Sequence, residues 1–234
     1  MNKLLGVVLM PLLAMAALPA HGESGEWYVG AGVGQSKYRG WASDSDALAL
    51  VNAYGKSVGV DDFDGSHSVG ADDTDTAFKI FGGFRFNEYF GVEVSYLDMG
   101  EVEAGGRIEG TFYDVVDNSL SGDVFAEAKA GVEAFTIDLN AYYPLEGPAA
   151  VFFQVGAYQA DVELELQAGG SITSENYRYS LDESSNGLHF GFGLLFDVSD
   201  RINIRAEWER LDNVEANEGE SDVDLISAAV IALF

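Results

Sequence analysis

From Glu23 onward, apolar and polar residues alternate in runs of about ten, the period-2 signature of strands with two unlike faces rather than the longer period of helices. Eight runs stand out, spanning approximately 26–39, 75–86, 89–102, 124–144, 151–167, 187–197, 201–214 and 223–234. Each is rich in Val, Phe, Tyr and Ile and is bounded by turn-forming residues. Three connections are tight: Phe86-Asn87-Glu88-Tyr89, Leu145-Glu146-Gly147-Pro148 and Asp197-Val198-Ser199-Asp200. The others are long, most of all the polar stretch 40–74, rich in Asp, Gly and Ser. Short turns at one end and long loops at the other are the layout of a transmembrane β-barrel. The pattern predicts an all-β fold, an eight-stranded antiparallel up-and-down transmembrane β-barrel, with both termini at the short-turn, periplasmic end.

The two faces say which side is out. The run 135–143 sets Phe135, Ile137, Leu139, Ala141 and Tyr143 against Thr136, Asp138, Asn140 and Tyr142. The run 188–196 sets Leu188, Phe190, Phe192, Leu194 and Phe196 against His189, Gly191 and Gly193. An eight-stranded lumen is just wide enough for its own side chains, so the bulky apolar rows belong outside, against lipid. The polar rows then fill the lumen, and the expected charge network is Glu93, Arg205, Lys79, Glu207, Asp138 and Arg85. Tyr28, Phe81 and Tyr142 add inward bulk, while Gly30, Gly32 and Gly34 are read as packing glycines. No helix follows these glycines, and their spacing does not match a dinucleotide fingerprint.

Towards the long loops the polarity inverts. Asp98, Glu127, Lys129, Glu133, Gln159, Asp161, Glu163 and Glu165 take outward positions, with apolar residues between them. The barrel is therefore expected to rise past the bilayer with a water-facing outside. Its apolar interior includes Leu97, Met99, Val132, Tyr158, Val162, Leu164 and Leu166. Two readings of that interior stay open: a packed core, or a cavity for an apolar ligand.

Composition narrows the rest. The formal net charge is −27, from 12 Lys plus Arg against 39 Asp plus Glu, which excludes binding nucleic acid through bulk charge. With hydrophobic residues at 47% and aromatics at 12%, the acids decorate a folded body. There is no cysteine, hence no disulfide and no thiolate chemistry. Residues 1–22 read as a signal peptide: Lys3, an apolar stretch from Leu4 to Leu18, then Ala20-His21-Gly22 as a cleavage site. That stretch falls short of the roughly 20 residues a spanning helix needs. The barrel domain is assigned to 23–234.

Three short motifs carry a resemblance: Trp27-Tyr28-Val29-Gly30-Ala31, Phe86-Asn87-Glu88-Tyr89-Phe90-Gly91-Val92-Glu93 and Ile204-Arg205-Ala206-Glu207-Trp208. Together they resemble the transmembrane domain of outer membrane protein A and, more broadly, OmpA-like and OmpW-like small barrels. The resemblance implies a lumen closed or gated by buried charges, with Glu93 and Arg205 at two of the family's positions. Asn140 and Leu195 stand where the family has its second Lys and Glu, so the family's gate does not carry over intact. The chain ends with the eighth strand and is expected to lack the family's peptidoglycan-binding domain. Its final Phe234 is similar to the C-terminal signal read by the barrel-assembly machinery.

Chemistry beyond this is sparse. Of three His, His21 lies in the signal segment, His67 in the first loop, and His189 faces the lumen as a satisfied polar group. No nucleophile–base pair emerges, and no enzyme is expected. Asp61, Asp62, Asp64, Asp72, Asp73 and Asp75 lack the ordered spacing of a calcium loop and read as a solvated loop, so neither a metal nor a cofactor is assigned. The expected function is a structural or surface-interaction role in a Gram-negative envelope; the alternative is a narrow channel or binding barrel for small or apolar solutes. Expected partners are outer-membrane lipids and lipopolysaccharide, the latter met by Lys37 and Arg39 at its phosphates and by Glu163 and Glu165 through divalent cations. The barrel-assembly machinery joins them during biogenesis, and the barrel is expected to be monomeric.

Overall fold

A computed structural model describes residues 25–60, 62–113, 119–173, 176–216 and 219–234. The segment expected to be a signal peptide, with its cleavage site, lies outside these residues, as does Asp61. Nine strands and one helix follow in chain order: β1 (Glu26–Tyr38), α1 (Asp44–Ser57), β2 (Asp62–Asp72), β3 (Thr74–Arg85), β4 (Phe90–Tyr113), β5 (Ser119–Pro144), β6 (Ala149–Gly169), β7 (Tyr177–Ser199), β8 (Ile202–Ala216) and β9 (Gly219–Leu233). Eight of the strands close a ring in the order β4-β3-β1-β9-β8-β7-β6-β5 and back to β4. All neighbours in the ring are antiparallel, and β1 and β9 close it with Tyr28 opposite Leu233. Closure leaves no unpaired edge around the ring, which a sheet in lipid requires.

In the half nearest the short turns the alternation is inside-out. Ile137 and Leu139 are each 63% exposed, whereas Asp138 and Asn140 between them are 1% exposed. The outward Val155, Leu188, Phe192, Leu194, Ile226 and Val230 continue this apolar belt. Aromatic contacts lace it, including Trp27 on Phe84 and Phe192 on Trp208.

The ninth strand and the helix correct the expectation of an unstructured 40–74 connection. Ser43 and Asp46 form a capping box, in which the Ser43 N–H donates to the Asp46 carboxylate at 2.9 Å. Asp44 and Asp46 complement the helix N-terminus and Lys56 the C-terminus. Ala47, Val51 and Gly55 face inward, four residues apart, and are buried. β2 then adds to the upper part of β4, with Asp72 opposite Glu103 and Asp62 opposite Tyr113.

Four ring strands are long: β4 to β7 have 24, 26, 21 and 23 residues, against 13 in β1 and 12 in β3, and β4 and β7 run far past the sequence runs 89–102 and 187–197. About 9–11 residues suffice to cross a bilayer. The surplus, with β2 and α1, builds a projecting head at the long-loop end. At a bulge between Asp98 and Glu101, β4 exchanges one partner for another: β3 pairs with it as far as Asp98, and β2 from Glu103 onward. Gly100 sits in the bulge at φ +70, and a Cβ there would lie 2.5 Å from the Asp75 carboxylate, so glycine alone suits the site.

Candidate functional site

Inward-facing side chains of all eight ring strands meet in a sealed ionic cluster, β9 through Ser227, which donates to Glu207 at 3.3 Å. Arg205 grips Glu93 with both guanidinium nitrogens, Nη1 to Oε2 at 2.8 Å and Nη2 to Oε1 at 2.9 Å. Its guanidinium also stacks on Phe81, 3.9 Å from the ring centre. Lys79 Nζ lies 2.6 Å from Glu209, 3.3 Å from Glu207 and 3.4 Å from Glu93. His189 Nδ1 is 2.7 Å from Asp138, and its Nε2 is 3.4 Å from Glu209. Tyr28 donates to Glu93 at 2.8 Å, Thr136 to Asp138 at 2.6 Å and Gln154 to Glu209 at 2.5 Å. Every charged side chain in this cluster is at most 1% exposed. Glycines make the room: a Cβ on Gly30 would fall 2.2 Å from the Phe81 ring, and one on Gly83 2.4 Å from the Tyr28 hydroxyl.

Five of the six residues expected in the lumen network, Glu93, Arg205, Lys79, Glu207 and Asp138, thus lie together. Arg85 does not join them. It ends β3 at the short-turn mouth, stacks on Tyr142 at 4.5 Å and has Glu26 at 4.0 Å. The cluster holds two members the sequence reading did not place in it. Glu209 follows Glu207 on the same face of β8 and was legible by parity alone, and His189 joins through Nδ1 on Asp138, with Nε2 3.4 Å from Glu209. Asn140, where the resemblance implied a second Lys, donates to the Tyr28 oxygen at 3.2 Å.

Apolar layers close the cluster. Towards the short turns, Tyr28, Phe81, Leu195, Ala229 and Ile231 pack together. Towards the head, Leu97, Met99, Val132, Tyr158 and Val162 pack with Leu211 and Leu225. Those five residues are buried together in this cluster. Leu164 lies at its margin and Leu166 beyond it, 37% exposed.

A closed eight-stranded ring with a polar lumen and an apolar outer belt now meets a match in sequence. The chain belongs to the outer membrane protein beta-barrel domain family, which it matches over residues 5–232. Among solved structures it is similar to the attachment invasion locus protein Ail of Yersinia pestis, at 16% identity, covering 90% of this chain and 99% of that one with a TM-score of 0.45. It is also similar to OprG from Pseudomonas aeruginosa, at 13% identity, 90% and 96% coverage and a TM-score of 0.47. Neisserial surface protein A is a third, at 15% identity, 91% and 100% coverage and 0.42. Among curated proteins none matches the sequence. This family member lies in the outer membrane, and its apolar belt meets the lipid.

Above the belt the barrel's outer face turns acidic. Asp98, Glu133 and Asp161 stand directly opposite one another on β4, β5 and β6. Like charges so placed repel, which water or counter-ions must relieve. Lys129 is ringed by Glu101, Glu103 and Glu127, each at 3.2 Å, and hydrogen bonds led by that to Glu103 hold its pKa above the usual lysine range. A hydrogen bond from Arg178 holds the Glu165 carboxylate below its usual range. Lys37 and Arg39, expected to meet lipopolysaccharide phosphates, already have partners in Asp73 at 3.2 Å and Asp224 at 2.6 Å. Among the described residues no acidic or histidine group is arranged to hold a metal ion. The head has its own core, where Val51 of α1 packs with Ile108, Phe112, Val124, Ala126 and Ala168. Phe234 faces outward, 57% exposed, and its N–H donates to the Trp27 carbonyl at 2.9 Å.

Proposed function

We propose that this barrel is a closed, non-catalytic membrane support that presents a rigid β-sheet head to the outside of the cell. In this reading the short turns and both ends of the barrel face the periplasm. The observation that carries it is the sealed lumen: a buried ionic cluster with an apolar layer on either side leaves no route for a sugar-sized solute, while four strands continue beyond the lipid to build a separate core. His189 holds Asp138 at Nδ1 and is fully buried, so no substrate in the surrounding solvent or lipid reaches its ring. The acidic outer face would meet lipopolysaccharide through divalent cations, and the paired Lys37 and Arg39 would contribute to phosphate contact only by breaking their own ion pairs. Phe234 at the end of the last strand fits recognition by the assembly machinery, and the closed ring fits a monomer.

Single-channel recording in planar bilayers tests the reading. Closed or rare, small conductance is expected. Large, stable porin-type conductance overturns it in favour of a solute channel.

A further inference from the structure

The charges of the sealed cluster do not balance. Glu93, Asp138, Glu207 and Glu209 supply four carboxyl groups, against three groups that can be cationic, Lys79, Arg205 and His189. The other groups that bond to them are uncharged: Tyr28 on β1, Ser95 on β4, Thr136 on β5, Gln154 on β6 and Ser227 on β9. Arg85 stands at the mouth beside Glu26, outside the cluster. The four carboxyl side chains have no exposed surface, so solvent ions do not compensate them. A buried charge without a partner is so costly that the group changes its protonation instead.

The geometry says where the protons sit. His189 Nδ1 lies 2.7 Å from Asp138 and Nε2 lies 3.4 Å from Glu209. A neutral ring would set a lone pair beside one of these carboxylates, and the imidazolium has none to set there. With His189 cationic, one negative charge is still in excess. Three carboxylates are firmly held. Arg205 donates to both oxygens of Glu93, Lys79 and Gln154 to Glu209, and Thr136 to Asp138 beside His189. Glu207 is the exception. Lys79 and Ser227 stand 3.3 Å from its Oε1, and Lys79 is nearer to Glu209, at 2.6 Å. Arg205 Nε is 3.3 Å from Glu207 Oε2, yet neither atom has a hydrogen-bond partner among the described residues. Two carboxyl groups that share one cation resist ionising together. We propose that Glu207 holds a proton in the folded barrel at neutral pH and that His189 is an imidazolium, which brings the cluster to neutrality. The barrel then takes up two protons as it folds, and alkali weakens the closed lumen. This inference rests on the reading of a sealed lumen, but protonation reports it and conductance does not.

The test uses the full barrel in bilayers of ether-linked lipid, whose chains carry no carbonyl. Infrared spectra at neutral pH should show the carbonyl stretch of a protonated carboxyl, which an ionised carboxylate lacks. Isotope labelling of glutamate should move this band, which separates it from aspartate. Glu207→Gln should remove the band and leave the urea midpoint at neutral pH equal or higher, since the amide is as neutral as the acid. Glu93→Gln should lower that midpoint. For both variants a retained shift in gel mobility on heating reports an intact barrel, and the labelled spectrum of the unmodified chain needs no variant at all. An unfolded glutamate and histidine have shed their protons by about pH 7.5. The folded state holds more protons there, so stability falls as pH rises. Between about pH 7.5 and 8.5 the slope should correspond to roughly two protons in the unmodified chain and roughly one in Glu207→Gln. No glutamic acid band in the unmodified chain overturns the proposal, as does a band that survives in Glu207→Gln. A slope of one proton or less in the unmodified chain overturns the count of two.

Discussion

Along β5, Ile137 and Leu139 face outward and Asp138 and Asn140 inward; further along the same strand, Glu127 and Lys129 face outward and Ala126 and Ala130 inward. One strand thus carries two opposite patterns without a break in its pairing to β6. The backbone is indifferent to which face is apolar, because its hydrogen bonds are met within the sheet in either setting. The surroundings select the pattern. In the lower barrel, lipid replaces water outside, and the charged groups of the interior are gathered into one ion-paired cluster, although a few buried atoms, Gln154 Oε1 and Glu209 Oε2 among them, have no hydrogen-bond partner among the described residues. In the head, water returns and the interior reverts to ordinary apolar packing.

The largest effect should come from breaking the lower pattern at its centre. Arg205→Ala leaves Glu93 buried without its main partner, and removing one member of a buried ion pair costs on the order of 3–5 kcal/mol. Urea unfolding followed by the heat-dependent gel shift should show that loss. Replacing both residues by Met and Leu should recover most of it. Equal destabilisation by the single and double changes would mean that Arg205 acts mainly through its stacking on Phe81.

The boundary between the patterns comes next. Ile137→Lys places a charge in lipid and should cost up to about 2–4 kcal/mol, whereas Glu163→Lys, above the belt, should cost close to nothing. Spin labels at positions 137 and 155 should be reached by lipid-soluble oxygen, and a label at 163 by an aqueous relaxer. Lipid-type accessibility at 163 would move the membrane edge upward and undo the comparison.

A third change addresses independence. Ile108→Ala opens a cavity in the head core and should weaken it by about 2–5 kcal/mol. Limited proteolysis should then cut the head while the barrel keeps its compact gel mobility. Simultaneous loss of both would show a single cooperative unit. The smallest effect belongs to the surface. Lys129→Ala should change stability by under about 1 kcal/mol, and less in high salt. Glu165, held low by Arg178, contributes its share above the usual carboxylate range and loses it as pH falls through its depressed pKa. An NMR titration of its side chain should read that midpoint below the ordinary value and return it to normal in Arg178→Gln.

The ring was legible because alternation leaves a mark on every strand: Phe135 to Tyr143 reads the same in sequence and in space. Inversion of that mark at Asp98, Glu133 and Asp161 made the head legible as well, though not its extent. Helix α1 was not read, although Ala47, Leu50, Val51 and Tyr54 are spaced for one helical face. The Asp, Ser and Gly around them gave the segment the composition of a loop, and the strands that cover this face are distant in sequence. β2 was missed for a related reason, since its Gly65, Ser66, Ser68 and Gly70 show no apolar row. Within the lumen, parity named the face but not the depth. Arg85 shares the inward face with Lys79 yet sits a few residues nearer the mouth, where its reach is to Tyr142 instead of Glu93.

The seam between β1 and β9 has a kinetic meaning. Tyr28 pairs with Leu233 and Tyr38 with Val223, whereas the other ring neighbours follow one another in the ring's chain order and, β1 and β3 apart, can zip from a hairpin or a short connection. Joining β1 to β9 closes a loop that encompasses the whole barrel, and the entropy of that closure is lost before its hydrogen bonds form. The ring should therefore assemble as a growing open sheet, with closure as its last and slowest step. Until then the unpaired edges of β1 and β9 are open to any neighbouring strand. A covalent link from Phe234 to Glu26, with new ends cut into the Glu146–Gly147 turn, would turn the seam into a hairpin and should speed closure.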